Sequence, residues 1–132
     1  MIKYFSIHAV FTIINFFIWV FNNGEPSGAD AMTPLLVIFV VSIQFCLGTL
    51  LVLLLKKKVQ YRIQRLAGLI LYAISYELIF LFFTSRPPIL NITFEGFYGE
   101  VSKAYSLSSF VALIIVLLMF SVNEYRKRET SL

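Results

Sequence analysis

Glu77 is the residue whose chemistry stands out, because it is a carboxylate inside a segment that is otherwise apolar. It lies within L-Y-A-I-S-Y-E-L-I-F-L-F-F at positions 71 to 83. A charged side chain at the centre of a bilayer costs at least about 2.5 kcal/mol, so such a group is normally paired, hydrogen-bonded or functional. The sequence leaves three roles open for it: handling an ion or a proton, contacting a partner chain, or forming a structural hydrogen bond.

Two amides and a hydroxyl are expected near the depth of Glu77. Counting about 1.5 Å per residue along each apolar segment places Asn15, Gln44 and Glu77 close to the middle of a bilayer. Ser109 comes in slightly toward the outside. Lipid offers no hydrogen bonds, so polar side chains at this depth should face protein. The sequence therefore predicts an intramembrane polar layer of Asn15, Gln44, Glu77 and Ser109.

The side chains needed for enzyme catalysis or metal binding do not fall into a recognisable pattern. The sole histidine, His8, lies near one end of the first apolar segment, whereas the sole cysteine, Cys46, lies near the middle of the second, so they cannot form a nucleophile–base pair. One histidine and one cysteine are too few for an ordinary zinc or iron–sulfur site. We expect no enzymatic activity, no cofactor and no metal, and we expect His8 to remain hydrated at the membrane surface.

Composition requires a membrane environment. The chain has 132 residues, of which 59% are hydrophobic and 14% charged. Its mean hydropathy is +0.85. A soluble domain of this length could not cover so much apolar surface with polar groups. The net charge of +4 comes from basic residues that flank the apolar segments, so it indicates membrane orientation rather than nucleic-acid binding.

Four apolar segments are long enough to span a bilayer, which takes roughly 20 helical residues. They cover about residues 4–21, 34–55, 66–84 and 104–122. None of them shows the alternation of an outer-membrane strand. The connections are short and contain no internal repeat. The sequence thus predicts an all-α polytopic membrane protein, a four-helix transmembrane bundle that forms a single domain over residues 1–132.

The distribution of lysine and arginine predicts the orientation of this bundle. Nine of the eleven basic residues lie in the N-terminus, in the 56–65 connection and in the C-terminal tail. The other two, Arg86 and Lys103, lie in the 85–103 connection. Because basic residues are retained on the cytoplasmic side, we expect both termini to be cytoplasmic. The expected location is a plasma membrane of the bacterial inner-membrane type.

Small and polar residues recur along single helix faces and predict how the helices pack. On the last segment Ala104, Ser108 and Ala112 follow one another at steps of four, which forms a groove for close approach of its own bundle or of a partner helix. The second segment carries a milder stripe of Ser42, Cys46 and Thr49. The first segment has a polar stripe that we expect to be buried, formed by Tyr4, His8, Thr12, Asn15, Trp19 and Asn22.

Aromatic residues precede the last segment at helical spacing. Phe94, Phe97 and Tyr98 are followed by Val101 and Tyr105, a pattern typical of a short amphipathic helix lying at the membrane interface. The two prolines at positions 87 and 88 prevent the third helix from continuing into this region. We therefore expect a short interfacial helix before the fourth span.

Two functions of different classes follow. The first is a non-catalytic membrane-embedded interaction protein, an accessory, immunity or inhibitory subunit, which recognises another membrane protein through the Ala104–Ser108–Ala112 groove, the Glu77 face and the outer aromatic residues. The second is a homo-oligomeric ion or proton channel or transporter with a path lined by Glu77. The expected partners are membrane lipid and either another membrane protein or further copies of this chain, with no nucleic acid.

Overall fold

The structure, a computed structural model, describes residues 1–23, 32–55, 61–93 and 97–130. All regular structure in these ranges is helical: α1 (Ile2–Asn22), α2 (Met32–Leu54), α3 (Arg62–Thr84), α4 (Pro88–Asn91) and α5 (Phe97–Thr130). The first three and the Gly99–Thr130 part of α5 are each long and apolar enough to cross a membrane. The prediction of an all-helical chain with four membrane-length helices is confirmed.

The four long helices form a closed ring in which each is antiparallel to its neighbours. Helix α1 packs between α2 and α5, and α3 packs between the same two helices on the opposite side. The start of α1 contacts the end of α5, since Asn123 donates a hydrogen bond to the Tyr4 hydroxyl at 3.0 Å. We name the end of the bundle that holds both termini the terminal end, and the opposite end, which carries α4, the loop end.

Aromatic side chains fill the interior in two clusters. Near the loop end the ring of Tyr105 stacks on Phe16 at a centroid distance of 5.0 Å and lies 4.7 Å from Phe80. Toward the terminal end Phe5 stacks on Tyr72 at 3.9 Å. Lipid is as apolar as these side chains, so contact between their rings, rather than escape from water, stabilises the association of the helices.

The helices extend beyond the predicted apolar segments, most of all α5. It contains 34 residues, about 51 Å of helix at 1.5 Å per residue, against a hydrocarbon core about 30 Å thick. The separate interfacial helix expected before the fourth span is wrong in position, because Phe97 begins α5 itself. Phe94 lies outside the described residues, as do the side chains of Phe97 and Tyr98.

The turn after α3 follows the predicted break at the two prolines. Helix α3 ends at Thr84, and Ser85 adopts the left-handed conformation with a φ of 59°. Pro88 is the first residue of α4, where its missing N–H leaves no unsatisfied donor. A short helix does precede the last span, therefore, but it lies at Pro88–Asn91 and is started by proline rather than by the aromatic pattern.

Candidate functional site

Glu77 is hydrogen-bonded on both carboxylate oxygens to groups of the same chain. Its Oε1 accepts from the Ser106 hydroxyl at 2.7 Å, and its Oε2 accepts from the Ile89 backbone N–H at 3.0 Å. Ile89 is the second residue of α4, so this N–H is one of the donors that has no partner within a helix. Glu77 thus caps α4 and connects it to α3 and α5.

The position of Glu77 along α3 differs from the expected midpoint. Helix α3 runs from Arg62 to Thr84, so Glu77 is fifteen residues from its start and seven from its end, about 10 Å from the loop end. The predicted segment also ended at residue 84, so the distance to the loop end is unchanged. The helix begins four residues before the predicted start at 66, which leaves Glu77 farther from the middle of α3. Its half-buried side chain lies at the seam between the bundle and the α3–α5 connection.

Gln44 lies in the interior of the bundle and bonds to the α3 backbone. Its Nε2 donates to the carbonyl of Tyr72 at 2.7 Å, and the Ser75 hydroxyl donates to the same carbonyl at 2.6 Å. Within the described residues, the Gln44 Oε1 atom and the Tyr72 hydroxyl are buried without a hydrogen-bond partner. Gln44 therefore joins α2 to α3 through half of its amide.

His8 is buried, which corrects the expectation that it stays hydrated at the membrane surface. Its side chain is 1% exposed, because Tyr72 of α3 and Ser109 of α5 lie against it. The ring lies edge-on to Tyr72 at 5.3 Å. Its Nδ1 is 3.5 Å from the Thr12 hydroxyl and its Nε2 is 3.4 Å from the Ser109 hydroxyl.

These distances place a hydroxyl group at each nitrogen of the imidazole. The Thr12 hydroxyl donates its hydrogen to the His8 carbonyl at 2.8 Å, so toward the ring it can only accept. The Thr12 hydroxyl therefore offers an acceptor to Nδ1 of His8, whereas the Ser109 hydroxyl can donate to or accept from Nε2. The two hydroxyls hold the imidazole between α1 and α5.

Asn15 and the small residues of α5 meet at the α1–α5 interface. Asn15 Nδ2 donates to the backbone carbonyl of Ser108 at 3.3 Å. Ala104, Ser108 and Ala112 are all buried, and α1 is the helix that packs most closely on α5. Helix α1 of the same chain therefore occupies the groove that the sequence also offered to a partner helix.

The four residues of the predicted polar layer do not form one cluster. Within the described part of the chain no hydrogen bond joins Asn15, Gln44, Glu77 and Ser109 to one another. Gln44 and Ser109 do approach a common centre, because Gln44 bonds to Tyr72 and the partner of Ser109, His8, contacts the Tyr72 ring. Asn15 and Glu77 lie outside it.

For two of the predicted polar stripes, the exposure of the side chains shows whether the stripe faces the interior of the bundle. In the α1 stripe His8 and Thr12 are buried, and His8 lies against the ring of Tyr72. Asn22, at the end of the stripe, is exposed. The regular spacing of the stripe was the sequence signal for His8, although the residue's closeness to the N-terminus argued against burial. The milder stripe on α2 is wrong: Ser42 and Cys46 are exposed, because Gln44 and Gly48 occupy the buried face of that helix.

A groove of about 450 Å³ opens on the lipid-facing side between α2 and α3. Almost all of its lining is apolar or small. On α3 the buried residues Tyr72 and Ile79 form part of the floor of the groove. The other lining residues of α3 follow one another at steps of three and four, the spacing of a helix-packing seam: Gly68, Leu71, Ser75, Leu78 and Phe82. The α2–α3 pair thus presents a surface on which small residues alternate with large apolar ones.

Charged residues concentrate at the terminal end. Arg65 of α3 pairs with Glu124 of α5 at 3.2 Å, and Lys127 approaches the same carboxylate at 3.5 Å. Burial, together with the positive charges of Arg65 and Lys127, lowers the pKa of the Met1 amino group. This end of the bundle therefore carries several cations within a short distance of one another.

Comparison with known protein families, curated proteins and solved structures finds no match. The structure defines the class of the molecule, an all-helical chain with four membrane-length helices. Its function has to be argued from its own contacts.

Proposed function

We propose that this protein is a non-catalytic, membrane-embedded interaction protein that binds a transmembrane helix of another membrane protein in the α2–α3 groove. The proposal includes the predicted orientation, with both termini in the cytoplasm of a cell with a bacterial inner membrane. The basic residues of the terminal end support this orientation, since Arg62, Arg126 and Arg128 lie together there. If the chain is an accessory protein, its partner is the membrane protein on which it acts. If it is an immunity protein, its partner is a toxin.

The observation that carries this proposal is the seam on α3. Leu71, Leu78 and Phe82 are exposed on one face of the helix. The smaller residue Ser75 lies between Leu71 and Leu78, and Gly68 precedes Leu71. Large side chains at steps of three and four insert between those of a facing helix, while small residues let the two backbones approach closely. A helix fits this pattern better than a flexible acyl chain, which requires no such spacing.

The length and polarity of the groove also favour a helix. From Gly68 to Phe82 the seam rises over fourteen residue steps, about 21 Å along α3 and most of a membrane core. The Ser75 hydroxyl already donates a hydrogen bond to the Tyr72 carbonyl. It therefore presents no unsatisfied donor to an apolar partner. The expected contact is therefore close packing without interhelical salt bridges.

The groove is tested by photocrosslinking in native membranes. A photoreactive phenylalanine analogue at Leu78 should capture one discrete membrane protein, and Ser75→Leu, which fills the groove, should abolish the adduct. Ile18 of α1 is the matched control, because it is 53% exposed against 54% for Leu78 and also lies in the loop half of its helix. Only lipid adducts, or equal capture from Ile18, would overturn the proposal. An adduct containing two copies of this chain would favour the homo-oligomer instead.

The alternative, a homo-oligomeric ion or proton channel, gains less support from these contacts. Both oxygens of Glu77 are engaged within the chain, and the buried rings of Phe16 and Phe80 lie between α1 and α3. A channel predicts ion or proton flux in proteoliposomes that Glu77→Gln abolishes. The interaction protein predicts no flux from either form.

A further inference from the structure

A pocket of about 540 Å³ lies at the terminal end, between the start of α3 and the last turns of α5. Arg62 enters it from α3 and Arg126 from α5, together with Arg128 and Glu129. Three arginines and one glutamate are therefore among the residues that line the pocket. Ser121, Val122 and Tyr125 form its remaining wall.

The neighbouring charges do not neutralise this pocket. Glu124, the acid of α5 two residues before Arg126, is engaged by Arg65 at 3.2 Å and by Lys127 at 3.5 Å. Within the described part of the chain, neither Arg62 nor Arg126 donates to an acceptor. A guanidinium presents five N–H donors in a planar fork that matches the oxygens of a phosphate. Two such forks from different helices are therefore available to one anion.

The position of the pocket favours a lipid over a soluble anion. Arg126 is four residues beyond the end of the predicted span at position 122, about 6 Å along the helix, which is the level of phospholipid headgroups. Val122 and the ring of Tyr125, both exposed, extend the pocket toward the hydrocarbon. A free phosphate makes no use of this apolar wall, whereas the glycerol and acyl chain of a phospholipid would cover it.

We propose that the pocket binds the headgroup phosphate of an anionic phospholipid, held between Arg62 and Arg126. Basic pockets between membrane helices at this level are suited to such headgroups. The site requires only that the four helices cross a membrane. It is independent of the α2–α3 groove, so failure of either proposal leaves the other intact.

The test is native mass spectrometry of the purified full-length protein, titrated in detergent with phosphatidylglycerol or with phosphatidylcholine. The wild type should retain phosphatidylglycerol preferentially. Arg62→Gln and Arg126→Gln should each weaken this binding about five-fold, which corresponds to about 1 kcal/mol per basic residue. Lys127→Gln is the matched control, since it removes the same charge from the same turn at a residue that faces Glu124, and its binding should stay within two-fold of wild type.

A second pair of variants tests whether binding requires the forked guanidinium groups or only their positive charge. Arg62→Lys and Arg126→Lys keep the charge but lose the fork, so they should also weaken binding, while surface charge alone would leave it unchanged. Equal affinity for the two lipids, or a loss with Lys127→Gln as large as with Arg126→Gln, overturns the proposal. Displacement of the lipid by millimolar inorganic phosphate would assign the pocket to a soluble anion. Circular dichroism of each variant confirms that the helices remain folded.

Discussion

At the scale of single residues, Glu77 acts as a brace that joins three helices. We predict that Glu77→Leu lowers the free energy of unfolding by about 2–4 kcal/mol, because it leaves the Ile89 N–H and the Ser106 hydroxyl without their acceptor. Glu77→Gln should cost less, about 1 kcal/mol, since an amide oxygen still accepts one of the two bonds and the amide nitrogen can donate to the serine hydroxyl. Unfolding in mixed micelles measures both.

A double-mutant cycle separates the hydrogen bond between Glu77 and Ser106 from a general effect of each substitution. Ser106→Ala should lose little further stability in the Glu77→Leu background, since its acceptor is already gone. Ser102→Ala, at a buried serine one turn earlier on α5, is the control and should add independently of Glu77. If Ser106→Ala and Glu77→Leu are fully additive, the described bond contributes nothing to stability.

The sequence located the polar residues of the interior but could not assign their partners. Burial of an intramembrane carboxylate or amide follows from the cost of exposing it to lipid. Its partner depends on tertiary geometry: Glu77 reaches Ile89 only because the chain folds back after Ser85. The same limit explains His8, whose burial depends on Tyr72 of α3 and Ser109 of α5 packing against its ring.

At the scale of helices, the contact between α2 and α3 depends on a glycine. The ring of Tyr72 lies between Phe5, on which it stacks at 3.9 Å, and Gly48. A methyl group added at Gly48 would lie 2.5 Å from Tyr72 Cε2 and 3.2 Å from Phe5 Cδ2. Neither ring can move without disturbing the other, so a close approach of the two helices requires glycine at this position.

We predict that Gly48→Ala lowers the free energy of unfolding by about 1–3 kcal/mol through this overpacking. Gly68→Ala is the matched control, because a methyl group there would meet only Met1 Cε, at 2.9 Å, which is the free end of a flexible side chain. Since alanine favours the helix over glycine, Gly68→Ala should be neutral or stabilising by up to about 1 kcal/mol. Equal destabilisation by both substitutions would mean that the Tyr72 contact does not explain Gly48.

Existence and type of the four long helices could be predicted because length and apolar content are local properties. Their bounds could not, since a transmembrane helix continues into water for as long as nothing breaks it, as α5 does to Thr130. The short helix α4 escaped prediction for another reason. Its four residues are below the length at which a helix is stable alone, so it depends on the bond from Ile89 to Glu77.

At the scale of the whole molecule, antiparallel packing brings both termini to one end together with most of the positive charge. Helices α1, α2, α3 and α5 alternate in direction around the ring. The direction in which one of them crosses the membrane therefore determines the direction of the other three. Nine of the eleven basic residues lie in the N-terminus, the 56–65 connection and the C-terminal tail. Those that the structure describes lie at the terminal end: Lys3, Arg62, Arg65, Arg126, Lys127 and Arg128. Because basic residues resist translocation, we predict that this end faces the cytoplasm.

Cysteine labelling tests that orientation in intact cells. The only native cysteine, Cys46, is first replaced by alanine, and single cysteines are then introduced at Thr93, on the exposed loop end, or at Thr130, on the exposed terminal end. A membrane-impermeant maleimide should label Thr93→Cys in intact cells and Thr130→Cys only after lysis. The opposite pattern would reverse the bundle and move the arginine pocket to the outer leaflet. Labelling of both positions in intact cells would place them on the same side of the membrane and would exclude a single crossing by α5 between them.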